Sequence, residues 1–95
     1  MRRPHYVTET QAVQSIARSP QCRFKWVKHA LEKMEERQIS SEDVICVLIN
    51  GQVILEEIKQ DTLWRVMGKD IDGIPLEVVV AVYEETITIK VVTAF

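Results

Sequence analysis

Glycine and proline occur only three times each in 95 residues. A chain so poor in both has no flexible linker and no low-complexity stretch. Cysteine occurs twice, at Cys22 and Cys46, with no CxxC spacing and no histidine pair to complete a structural zinc site. Free thiols, buried or half-buried, are the expected state. No apolar run reaches the length of a bilayer, and the apolar block from Val78 to Tyr83 is strand-sized. The opening MRRPHYVTET has basic residues with no hydrophobic segment behind them, so it does not read as a secretory signal, and a cytoplasmic protein is expected. There is no internal repeat, Walker loop, GxGxxG, HExxH or nucleophile elbow. Neither a cofactor nor a metal is therefore expected.

What remains is ordinary for a globular chain: 46% apolar and 27% charged residues. The length allows one core, so a single domain over 1–95 is expected. An N-terminal arm and helix would run to residue 21, a short strand and two helices over 22–51, and a sheet over 52–95. The net charge of −2 conceals an asymmetry. Residues 1–33 hold Arg2, Arg3, Arg18, Arg23, Lys25, Lys28 and Lys33 against Glu9 and Glu32, a net +5. Residues 34–95 hold five basic and twelve acidic side chains, a net −7. A nucleic-acid footprint could come only from the first third, with Arg23, Lys25 and Lys28 as candidates for holding a substrate. The alternative is a solvated face with local counter-charges.

Periodicity orders the elements. Thr8–Arg18 predicts a helix, with Thr8 or Thr10 as cap, a stripe of Ala12, Val13, Ile16 and Ala17, and Pro20 as terminator. CRFKWV alternates, as a short strand would. A second helix covers about Lys28–Gln38, with Ala30, Leu31 and Met34 inward. Ser40 and Asp43 form an S-x-x-D capping box for a third helix, apolar on nearly every side, that ends at Gly51. The period then changes to two. QVILEEIK, TLWRVMGK, LEVVVAVY and TITIKVV predict four strands, with DIDGIP as a turn. The fold class is α+β: N-terminal helices packed on one face of a four-stranded antiparallel meander.

Register can be reasoned as well. A two-residue turn at Glu84-Glu85 would set Val82 against Ile87, Val80 against Ile89 and Val78 against Val91. For Arg65, a two-residue turn at Asp72-Gly73 pairs it with Val80 on the core face. A three-residue loop pairs it with Val79 on the other face, near Tyr83 and Lys90. The longer loop is favoured because it also turns Trp64 and Val66 inward.

Four residues then stand out for chemistry. His29 lies near a helix start, where the dipole disfavours a second positive charge and an imidazole could act as a base; a locally bonded polar residue is the plainer alternative. Arg65, Tyr83 and Lys90 on one surface would supply two cations and a phenol for a phosphate. The competing arrangement pairs Arg65 and Lys90 across strands with Glu77 and Glu56 or Glu57. Glu56 and Glu57, adjacent on a strand, point to opposite faces and cannot form a dyad.

The ordered pieces HALEKMEERQISSEDVICVLINGQVI, LWRVMGK, DGIPLEVVVAV and TIKVVTAF resemble an uncharacterised family of small bacterial domains. Its members read H-A-x-x-R-M-x-x-R-G-I-S, then a G-x-V-I strand and a D-G-x-P-L hairpin. The resemblance covers roughly residues 24–95, with Gln38 at the usual glycine of R-G-I-S. That family is similar in layout to the RelE, BrnT and MqsR group of toxins. The resemblance implies metal-independent cleavage of messenger RNA, free or on the ribosome, with a 2′-hydroxyl as nucleophile. It also implies a cognate antitoxin, in some relatives a small zinc-finger protein. His29 matches the family histidine, Arg65 the polar position after the strand aromatic, and Thr93 the closing threonine. The rival reading is a noncatalytic interaction module in which the last strand or QVILEEIK offers an exposed edge to a partner or to a second copy of itself.

Overall fold

The computed structural model describes residues 6–95; Arg2 and Arg3, counted in the basic third, lie outside them. Three helices precede most of the sheet: α1 (Val7–Arg18), α2 (Lys28–Arg37) and α3 (Ser41–Asn50), with β1 (Arg23–Trp26) between the first two. Then come β2 (Gln52–Ile58), β3 (Thr62–Lys69), β4 (Pro75–Tyr83), a 3-10 turn (Glu84–Thr86) and β5 (Thr88–Ala94). The architecture is α+β, but the sheet has five strands in the order β1-β5-β4-β3-β2. β1 runs parallel to β5 and the other neighbours are antiparallel. The four-stranded expectation is thus corrected. β1 is more than a lead-in to α2, because Arg23–Trp26 finds partners in Thr88–Val91.

One face of the sheet meets the helices. Val66, Val78, Val80, Ile89 and Val91 are fully buried there against Val13 of α1, Ala30 of α2 and Val44, Val47 and Leu48 of α3. Burying a Val or Leu side chain contributes roughly 1.5–3 kcal/mol, so this contiguous cluster dominates the stability of the fold.

The helix ends are satisfied in different ways. Ser40 and Asp43 make the reciprocal capping box, with Asp43 N–H donating to Ser40 Oγ at 3.0 Å and Ser40 N–H to Asp43 Oδ2 at 3.1 Å. The second carboxylate oxygen of Asp43 accepts from Ile71 N–H at 3.2 Å, which ties the β3–β4 turn to the start of α3. Among the described residues α1 has no side-chain cap, contrary to the expected Thr8 or Thr10. Thr10 Oγ1 instead accepts from Val53 N–H at 2.9 Å. Gln14 donates to the Gly51 carbonyl at 2.9 Å, and Arg18 to the Ile49 carbonyl at 3.2 Å. These carbonyls lie where α3 gives way to β2, at a helix end that leaves acceptors without intrahelical donors. α1 therefore acts as a strap across that corner.

α2 ends with Gln38 in the left-handed region (φ 56°, ψ 42°), and its amide donates back to Glu35. The glycine of the family pattern would adopt that conformation without the Cβ penalty. At the end of α3 the need for glycine is different. Gly51 has φ −83°, which any residue can adopt. A Cβ there would lie 2.5 Å from the Val47 carbonyl oxygen and 2.6 Å from that of Met67. Small size at Gly51 is what lets α3 touch β3.

Two registers decide the rest. Arg65 pairs with Val79, as the longer-loop reading requires, and Gly73 has φ 82° in the β3–β4 turn. The β4–β5 register differs from expectation by two residues: Tyr83 faces Thr88, Val82 faces Ile89 and Val80 faces Val91. The connection is longer because Glu84–Thr86 winds into the 3-10 turn and Ile87 takes φ 51°. A shift of two keeps every paired side chain on its expected face. A bulge at Val92 then carries Ala94 opposite Val78, so that Val91 and Ala94 are both buried.

Candidate functional site

The pairings place Arg23 and Lys25 of β1, Lys90 of β5, Tyr83 of β4 and Arg65 of β3 on the face of the sheet away from the helices. Their strand neighbours Phe24, Trp26, Ile89, Val82 and Trp64 point to the helix side and pack against the core. Of the seven residues singled out in the sequence, five therefore share one surface. Lys28 and His29 do not. Both are exposed on α2, whose buried Ala30 and Met34 pack into the core on the opposite side of the sheet. Lys28 lies 4.0 Å from Glu32.

The open face holds two separate charge clusters. In one, Asp61 Oδ2 accepts from the Tyr83 hydroxyl at 2.7 Å and from Lys90 Nζ at 3.0 Å. The ammonium also lies 5.9 Å from the Tyr83 ring centre. Hydrogen bonds from Tyr83 and then Lys90 hold the Asp61 carboxyl below the ordinary carboxylate range. The same carboxylate raises Tyr83 and Lys90 above their ordinary values, chiefly through its hydrogen bonds to them. Tyr83 is thus kept a neutral donor and Lys90 a cation.

In the other cluster, Arg65 Nη1 lies 3.5 Å from Glu77 Oε2, and its guanidinium carbon is 5.2 Å from the centre of the Phe95 ring. Among the described residues Arg65 Nε is buried without a hydrogen-bond partner. Arg65 and Lys90 are two strands and two residues apart, roughly 12 Å between Cα atoms from strand spacing and rise. Each leans toward its own carboxylate. Cross-strand pairing of Arg65 with Glu77 is as one reading had it, whereas Lys90 pairs with Asp61 and not with Glu56 or Glu57. Glu56, on the helix side, instead accepts from Trp64 Nε1 at 2.7 Å.

Sequence reasoning missed Asp61. It sits in the short turn between β2 and β3, where an aspartate needs no explanation beyond turn chemistry. Only the fold, which sets β4 next to β3 and lets Tyr83 and Lys90 reach that turn over the open face, reveals its role. Arg23 and Lys25 are exposed on the edge strand, and among the described residues neither forms an ion pair. Cys22 and Cys46 are free, and burial pushes the Cys22 thiol up. Among the described residues no three His, Cys, Asp or Glu side chains group as metal ligands, and no helix is long and apolar enough to cross a membrane.

The arrangement offers a neutral phenol, an ammonium and a guanidinium on a flat surface, with two more cations at its edge. Such a surface can bind an extended polyanion and donate a proton to it. Searches among curated proteins and among solved structures returned no match. A family model described as a domain of unknown function, DUF4258, matches residues 26–95. The matched stretch contains His29, Asp61, Arg65, Tyr83 and Lys90, and leaves α1, Arg23 and Lys25 outside. With most of its length covered, from α2 through the whole antiparallel part of the sheet, this chain belongs to the DUF4258 family.

Proposed function

We propose that the helix-free face of the sheet binds the backbone of single-stranded RNA, and that the protein is a metal-independent endoribonuclease of the RelE/MqsR-like toxin kind. The observation that carries this reading is the placement of Arg23, Lys25, Arg65, Tyr83 and Lys90 on one surface. In the proposed reaction the 2′-hydroxyl oxygen attacks the adjacent phosphorus and the bond to the 5′-oxygen breaks. Tyr83 donates its proton to the departing 5′-oxygen, Lys90 stabilises charge on the non-bridging oxygens, and Arg65 holds a neighbouring phosphate. The 2′-hydroxyl proton leaves to water, which also restores the Tyr83 proton. The expected partners are messenger RNA, free or ribosome-bound, and a cognate antitoxin, of the zinc-finger type in some proteins of similar layout.

Induced expression in a bacterial host tests this. Growth arrest with cleaved transcripts should appear, and should be lost in Arg65→Ala and Tyr83→Phe. Intact transcripts and normal growth at high soluble expression would refute it. His29→Ala, across the sheet, should cleave as the parent does.

A second reading has its own observation. Among the described residues β2 is an edge strand, whereas the last strand, β5, is paired on both sides because β1 joins it; Ile54, Leu55 and Ile58 of β2 are 42%, 39% and 77% exposed. Apolar side chains on an unpaired edge suit strand addition by a protein partner or a second copy. A stable complex with no RNA cleavage in its free state would favour this interaction module.

A further inference from the structure

We propose that Tyr83 and Lys90 form a ready-made anion site, and that the Asp61 carboxylate is its resident occupant, displaced when an RNA phosphate binds. The identity of the incoming ligand rests on the phosphodiester reading above; the site itself rests on geometry.

Both donors converge on a single oxygen, Asp61 Oδ2, at 2.7 and 3.0 Å. They come from adjacent strands in the interior of the sheet, β4 and β5. The acceptor comes from a different kind of element, the short turn between edge strand β2 and β3. That turn is closed by the Lys59 amide donating to the Asp61 carbonyl at 3.0 Å, and the Asp61 side chain is 39% exposed. The donors' backbones are therefore held by strands on both sides, while the Asp61 side chain has solvent to rotate into. A carboxylate held by a phenol and an ammonium occupies the place that a phosphate group would take, with phosphate oxygens facing both donors.

The surroundings favour a polyanion over a single carboxylate. Lys25 stands beside Lys90 in register, and Arg23 beside Thr88, which itself neighbours Tyr83. Asp61 neutralises Lys90 and leaves Lys25 and Arg23 without an ion pair among the described residues. A chain of phosphates entering from the β1 edge would meet all three cations. Glu84 and Glu85, in the turn after Tyr83, border the depression beside it at the same strand end as Arg23, and disfavour a path that continues out over that turn. Asp61 would then set a threshold: a lone anion must outcompete it, whereas a polyanion gains Lys25 and Arg23 as well.

The test uses the full chain and two probes, inorganic phosphate followed by NMR and a labelled single-stranded oligoribonucleotide followed by anisotropy. Asp61→Asn keeps the shape and removes the charge. It should bind phosphate about tenfold more tightly than the parent, the effect of removing one charge a few ångströms from the ligand near a protein surface. Adding Lys90→Met should abolish the gain. If Asp61→Asn melts well below the parent, Asp61→Ser replaces it with the same expectation. Unchanged or weaker phosphate binding in a folded Asp61 variant overturns the proposal, and leaves the RNA reading standing if the parent still binds the oligonucleotide. A phosphate gain with no oligonucleotide binding by either protein upholds the anion site and removes the RNA reading.

Discussion

Replacing Gly51 with alanine should be among the most damaging single-methyl additions in this protein. The added Cβ would sit 2.5 Å from the Val47 carbonyl oxygen, 2.6 Å from the Met67 carbonyl oxygen and 3.1 Å from the Met67 carbonyl carbon. The two oxygens are about 1 Å inside ordinary van der Waals contact. All three atoms are backbone, one set in α3 and the other in β3, so no side chain can rotate out of the way. The Gly51 amide also donates to Val47 at 2.6 Å, a bond that any separation would stretch. Overpacking costs roughly 1–3 kcal/mol, and two rigid walls put this case near about 3. For a domain of this size, that lowers the melting temperature by ~12–24 °C. Gly73→Ala is the internal control: its φ of 82° is strained for alanine, but nothing lies within 4 Å of the new methyl. It should cost about 1 kcal/mol through backbone strain alone. Thermal and urea unfolding of both variants measure the difference. If Gly51→Ala melts within ~3 °C of the parent, crowding between α3 and β3 is not why glycine is there.

Gln38→Gly should stabilise the protein, by about 0.5–1 kcal/mol in urea unfolding, because the left-handed C-cap costs glycine nothing; a less stable variant would count against the strain argument. Asp43→Ala should cost more than Ser40→Ala, itself about 1 kcal/mol, because Asp43 serves both the capping box and the Ile71 amide; equal losses would show that the turn contact contributes nothing. The Asp61 cluster should give stability a defined pH window. A depressed Asp61 contributes above its unfolded value, near 3.8, and the contribution fades as pH falls through the lower folded value. Raised Tyr83 and Lys90 contribute below 10.0 and 10.5, and lose their contribution as pH climbs through the higher folded values. The stability gap between parent and Asp61→Asn should hold between about pH 5 and 9 and shrink on both sides; a gap unchanged at pH 2.5 would contradict the hydrogen-bonded cluster.

Local signals in the chain located most of the elements, and they failed where the deciding partner was distant. The Ser40–Asp43 box and the change of period after Gly51 are local signatures, and each lies where expected. Arg65 could be placed because the three-residue loop alone turned Trp64 and Val66 toward the core. The β4–β5 register slipped because nothing in EETI announces a 3-10 turn ending in a β-branched residue at positive φ. β1 was visible as an alternating stretch, yet its parallel partner lies more than sixty residues away, a pairing that periodicity cannot encode. The site divides in the same way. Arg65, Tyr83 and Lys90 drew attention as charges and a phenol on apolar strands. Asp61, the residue that joins two of them, looked like a loop aspartate, and His29, a candidate base read more plainly as a local polar residue, stands across the sheet.

The strand order has a consequence for how the molecule comes into being. β5 lies between β1 and β4, yet every other described element precedes it in the chain. As synthesis proceeds, the hairpin of β3 and β4 emerges with Val78 and Val80 lacking their neighbours Val91 and Ala94, and β1 waits with no strand to pair with. Long-range pairing of this kind delays folding until the distant segment arrives. A chain stalled before Thr88 would be an open, adhesive intermediate. The arrival of seven residues, Thr88–Ala94, joins the first strand to the rest and completes the sheet.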